Sequence, residues 1–305
     1  MNKLLIVGTV AFDAIETPFG KTDKILGGSA PYIGLSASQF HVQSAIVSVV
    51  GGDFPKSYLE SFQAHQINTS AIEIIAEEKT FFWSGRYHKN MNARDTITTD
   101  LNVLTKFNPI VPDNFKDASV VVLGNLAPNN QASVISQLTN PEALIILDTM
   151  NFWMDNALNE LLEVIKKVDV ITINDEEARQ LTGENSLVVA ARKIYEMGPR
   201  FVVIKKGEHG ALLFNEDKVF SAPALPLEAV FDPTGAGDTF AGGFSGHLTK
   251  TNDFSFENMK RALIYGSAMA SFCVEEFGPE RLLNLEESAL ATRLQAFKKL
   301  TQFEL

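Results

Sequence analysis

A chain of 305 residues with 45% hydrophobic content is long enough to bury a sizeable core. Its formal net charge of −11 argues against wrapping nucleic acid or lying on an anionic membrane, although backbone dipoles, lysines or a metal can still hold a small anion. Cys273 is the only cysteine, which excludes an internal disulfide and fits core filling in a reducing compartment.

In chain order, MNKLLIVGTV opens on an apolar run that stops at Gly8, too short for a signal sequence and expected to form a first strand. Further β-branched runs fall at 45–50, 119–123, 144–147, 168–173 and 201–204. They lack polar alternation, as strands covered on both faces do. Amphipathic stretches with helical spacing lie between them at 56–65, 157–167 and 187–197. The alternation predicts an α/β fold with a central, mostly parallel sheet flanked by helices on both faces, and ligands beyond the carboxyl ends of the strands. No run approaches the ~18 apolar residues of a membrane span, so a cytoplasmic protein is expected.

Two stretches depart from this order. Residues 80–99, TFFWSGRYHKNMNARDTITT, place strand-forming residues on both sides of KNMNARD and predict a hairpin. Residues 11–26 carry Pro18 and Gly20 without helical spacing. Together they are expected to form a small sheet acting as a lid on one domain spanning 1–305. Trp83 and Arg86 must face opposite sides of a strand, and Arg86 is expected to point into the site.

The stretch DPTGAGDTF lies between a strand-like segment at 225–231 and the small-residue run FAGGFSGHL. Pro233 keeps Asp232 extended, while Gly235 and Gly237 leave backbone N–H groups bare. A helix starting near Gly237 or Asp238 would aim successive amides and its dipole at one point, forming an anion cradle. A carboxylate at its edge competes with the anion unless it faces a hydroxyl that loses its proton as a phosphoryl group arrives. The plainer alternative is a strand–turn–helix joint with Asp238 as N-cap.

Other candidates carry a similar choice. Gly27 and Gly28 admit either a ligand or a tight turn before a helix, and Asp13 follows the first strand on the ligand side. Asn174 and Glu177 in ITINDEEARQLTG fit a capping box or a carboxylate orienting metal-bound water. Lys205, Lys206 and Gly207 in FVVIKKGEHGALLF end a strand before a tight turn, and a lysine there is either solvated or within reach of a phosphate.

From the first strand and Asp13 through GGSA, VVGGDF, NDEE and KKGEHGA to DPTGAGD, the chain resembles the ribokinase-like (PfkB) family of carbohydrate and nucleoside kinases. The resemblance implies an ATP-dependent transfer to an alcohol, with Asp238 as general base and Gly235, Ala236 and Gly237 as the anion hole. It further implies Mg2+ handled through water by Glu177, and a nucleotide site formed by Asn174, Lys205, Gly207 and Gly210. The adenine is expected beside Gly266 and Ala270. Asp232 and Thr234 border a loop that binds a monovalent cation, K+, in relatives, and relatives often dimerise through the lid sheet. Asp13, Gly27 and Gly28 match positions that hold substrate hydroxyls. The pattern breaks at Tyr32, which replaces the usual asparagine, and at DTMNFW, which departs from DPNxR. A ring at Tyr32 is expected to offer stacking area. A small sugar is the first expected acceptor, with a nucleoside and a catalytically idle metabolite-binding protein as alternatives.

Overall fold

The computed structural model describes residues 2–302. Fourteen strands follow in chain order: β1 (Lys3–Val7), β2 (Ala11–Thr17), β3 (Gly20–Lys21), β4 (Ile25–Gly27), β5 (Gln43–Gly51), β6 (Ile67–Ile75), β7 (Phe81–Tyr87), β8 (Arg94–Asp100), β9 (Val120–Leu123), β10 (Leu144–Asp148), β11 (Val170–Asn174), β12 (Phe201–Lys205), β13 (Ala211–Asn215) and β14 (Lys218–Ala222). Nine of them form one sheet in the order β14-β13-β12-β11-β10-β9-β1-β5-β6. It is parallel from β6 to β12, and antiparallel at β13 and β14.

Alternation along these apolar strands divides the core in two. Leu4, Ile6, Val120, Val122 and Ile146 pack on one face, and Leu5, Val7, Val121, Leu123 and Leu147 on the other. Each face is covered by helices, which is why the strands read as uninterrupted apolar runs. Among the described residues no helix is long and apolar enough to cross a membrane.

The segments expected to form a lid make a second sheet, ordered β3-β2-β7-β8 with β4 added to β2. Its hairpin follows the expected boundaries, with KNMNARD supplying the turn and the first two residues of β8. The 225–231 segment is not a strand. Pro223, Pro226 and Pro233 remove backbone donors in and around it, so it runs as irregular chain into the glycine-rich turn. The helix after that turn spans Ala236–Thr251, starting slightly earlier than expected, with Gly235 as N-cap.

Candidate active site

Strands β10, β11 and β12 end side by side at Asp148, Asn174 and Lys205, and the Ala236–Thr251 helix starts opposite them. Parallel strands place these ends on one edge of the sheet. Lys205 Nζ lies 2.8 Å from Asp148 Oδ2, with the two side chains only 16% and 9% exposed. The same ammonium is 3.2 Å from the position a Cβ on Gly237 would take. Burial works against the Lys205 charge, but Asp148 and then Glu177 outweigh it and raise its pKa.

Gly235 turns with φ 74°, a left-handed conformation that glycine adopts without strain. The Ala236 N–H donates to the Pro233 carbonyl at 3.2 Å and closes the turn. The amides of Gly235 and Gly237 make no hydrogen bond among the described residues. Of the three amides expected to form an anion hole, Ala236 is therefore tied into the turn itself. Asp238 lies in the first helical turn, and its carboxyl is pushed up to about 7 by burial and by Asp148, against the pull of Lys205 and Arg94.

Asn174 and Glu177 form a reciprocal capping box: the Asn174 side chain accepts from the Glu177 amide, and Glu177 accepts from the Asn174 amide, both at 2.8 Å. The capping role is thus realised. Glu177 is nevertheless buried, and desolvation lifts its carboxyl to about 7 while Lys205 opposes the rise. Asp148 at the end of β10 and Glu177 in the first turn of the helix after β11 are carboxylates of the kind, one or two in number, that Mg2+ takes beside phosphate oxygens. No group of three or more His, Cys, Asp or Glu among the described residues could hold a metal without such help.

Across the site, β2 carries Asp13, buried and pushed up to about 7 by desolvation and then by Asp232 and Asp238. A Cβ on Gly27 would fall 2.1 Å from the Asp13 carboxyl carbon, so the close approach of β4 to Asp13 depends on that glycine. Gly28 begins the helix Ser29–Ser38.

Three expectations need correction. Tyr32 is 1% exposed, and a Cβ on Gly235 would lie 2.5 Å from its ring atoms. The ring therefore supports the glycine-rich turn and has no stacking face to offer; its hydroxyl is buried without a partner among the described residues. Gly266 leaves no room for a base, because a Cβ there would meet Phe240 at 2.9 Å: it is a contact between two helices, and Ala270 packs on the same core. Asp232, by contrast, keeps its expected place: it is fully buried and organises the loop, its two oxygens each accepting one amide, from Thr234 and Gly278 at 2.9 Å, with a lone pair left on each.

Arg86 points away from the site. It pairs with Glu16 at 2.8 Å on the outer face, where it is 56% exposed, while Phe82 on that face packs into the core. Asp13, Trp83, Gly85 and Tyr87 share the inner face by register. Exposed ion pairs contribute about 0–1 kcal/mol, so Arg86→Ala is expected to leave kcat and KM within about twofold of wild type in steady-state assays.

Two residues escaped sequence reasoning. Asp148 ends a buried parallel strand, a position that could have marked it. Arg94 lies opposite Tyr87 on β8, and its guanidinium acts on the carboxyls of Asp13, Glu177 and Asp238 from the second sheet. Within KNMNARD nothing distinguishes it from a solvated turn charge. The hairpin tip crosses to the turn after β12, where Asn92 Nδ2 donates to Glu208 Oε1 at 3.0 Å, next to Gly207. Gly207 and Gly210 both adopt positive φ in that turn.

The profile of the pfkB family carbohydrate kinases matches residues 1–284. A cytidine kinase of Thermococcus kodakarensis is 28% identical over 250 residues, covering 80% of this chain and 87% of its own. A ribokinase of Staphylococcus aureus is 28% identical over 310 residues, covering 94% and 98%. The crystal structure of a putative ribokinase II from E. coli in complex with ATP and Mg2+ superposes with a TM-score of 0.79 at 19% identity, covering 97% of this chain and 99% of that one.

Proposed function

This chain belongs to the pfkB family of carbohydrate kinases, and from that premise we propose that it transfers the γ-phosphoryl group of ATP to an alcohol group of a small sugar or nucleoside, with Asp238 as general base. The observation that carries this reading is the placement of the half-buried Asp238 carboxyl in the first turn of a helix whose Gly235 and Gly237 amides are unengaged, with Lys205 beside Gly237 and Asp13 across the site.

Asp13 accepts a hydrogen bond from the acceptor and orients it. Asp238 takes the proton of the reacting hydroxyl as its oxygen bonds to phosphorus and the bond to the ADP oxygen breaks. The two amides and the helix dipole stabilise charge on the equatorial oxygens without reorganising. Lys205 holds Asp148 and adds positive charge beside Gly237. Mg2+, held near Asp148 and Glu177, would neutralise phosphate charge. The neighbour solved with ATP and Mg2+ supports this choice of donor and metal. Asp232 and Thr234 organise the adjoining loop, the expected place of a monovalent cation such as K+.

The cytidine kinase and ribokinase relatives, equal in identity, keep both acceptor classes in the reading. Coupled ADP release over a panel of free pentoses, hexoses and nucleosides tests it. One acceptor class is expected to turn over, with ATP alone hydrolysed slowly because water is a poor occupant of a site built for a bound alcohol. Tight binding of ATP with no ADP from any acceptor would instead favour an idle metabolite-binding protein.

A further inference from the structure

Two cations serve the carboxylates of this site, and they are held differently. Lys205 is nearly buried and already paired with Asp148. Arg94 is exposed and makes no ion pair among the described residues. Its Cζ lies 5.7 Å over the Trp83 ring, and Arg94 is the residue directly opposite Tyr87 in the strand register. Tyr87, only 7% exposed, accepts from Thr234 Oγ1 at 3.1 Å, and the Thr234 amide in turn donates to Asp232. Asp232, Thr234 and Tyr87 therefore form a hydrogen-bonded path from the loop before Gly235 to the second sheet, and the path ends opposite Arg94 in register.

Charge and entropy say what the path does. Asp13, Asp148, Glu177 and Asp238 outnumber the single paired lysine, so a polyphosphate entering between them needs a further cation. An exposed arginine carries about 2 kcal/mol of rotamer entropy, so it acts reproducibly only when held. We propose that Arg94 is a catalytic residue carried by the second sheet, and that Tyr87 is the positioning residue that places it by bridging to Thr234. The proposal rests on the kinase reading. In the transfer, Arg94 exchanges no proton: it donates hydrogen bonds to the phosphoryl oxygens while the proton goes to Asp238 and the electron pair of the broken bond stays with ADP.

A double-mutant cycle tests it, with kcat, KM, ATP affinity by calorimetry and melting temperature measured for Tyr87→Phe, Arg94→Ala and the pair. Arg94→Ala is expected to lower kcat about tenfold, equivalent to about 1.4 kcal/mol, and Arg94→Lys to recover part of it. Tyr87→Phe is expected to lower kcat about threefold at nearly constant melting temperature, an effect the Arg94→Ala background abolishes. An undiminished Tyr87→Phe effect in that background, or wild-type kcat in Arg94→Ala, overturns the proposal. Should wild type release no ADP with any acceptor, the kinase reading falls. ATP affinity then decides the coupling: non-additive weakening upholds the Tyr87–Arg94 link, and additive or absent weakening overturns it.

Discussion

Asp238→Asn is expected to lower kcat by roughly 10² to 10⁴, the contribution of a positioned general base, while ATP affinity changes little. The same substitution is expected to stabilise the protein at alkaline pH. Burial lifts the Asp238 carboxyl from 3.8 to about 7 in the folded chain. Between those values the folded state holds a proton that the unfolded state has lost, so the stability this group contributes is full below about pH 4 and is lost as pH rises through about 7. Asparagine never ionises and escapes that loss. At pH 8 the variant should therefore melt above wild type, by roughly 2–4 °C for each kcal/mol recovered, and the difference should shrink toward pH 5. Wild-type kcat/KM should fall below about pH 7 in the absence of bound ligands, because the base must be charged to accept a proton. Near wild-type turnover in folded Asp238→Asn would remove the base from the mechanism. A variant less stable at pH 8 would mean that attraction to Lys205 and Arg94 outweighs desolvation.

Lys205→Met should be the most damaging single change to stability at this end of the sheet. It leaves Asp148, 9% exposed and paired at 2.8 Å, as a buried carboxylate without its partner. Breaking a buried pair from one side costs about 3–5 kcal/mol, whereas removing both charges is often close to neutral. Urea unfolding should show that loss at an unchanged m-value, and adding Asp148→Asn to Lys205→Met should restore most of it. The double variant should still be catalytically impaired, since the positive charge beside Gly237 is gone. A loss below about 1 kcal/mol in Lys205→Met would mean that water reaches Asp148 and that the pair is no anchor.

Much of this organisation was legible before any coordinates. Buried parallel strands cannot alternate, so runs such as 119–123 and 201–204 announce themselves to within a residue of the strands formed, and ligand-side strand ends follow from the topology. DPTGAGD was readable because its turn depends on backbone that few residues permit, a local property. The hairpin at 80–99 was readable from its two arms and turn. Even the tie between Asn174 and Glu177 was local, three residues apart on one helix start.

What the sequence by itself determined, then, is the layered α/β order and the glycine-rich turn with its aspartate, because both rest on periodicity and on backbone freedom within a few residues. Only the tertiary structure decided which way Arg86 and Tyr32 point, that Gly266 meets Phe240, and that Asp148, Lys205 and Arg94 converge from strands as far apart in sequence as β8, β10 and β12. These are properties of register and packing: one residue of strand shift exchanges the two faces of a sheet, and a buried charge is tolerated only where a distant segment brings its partner.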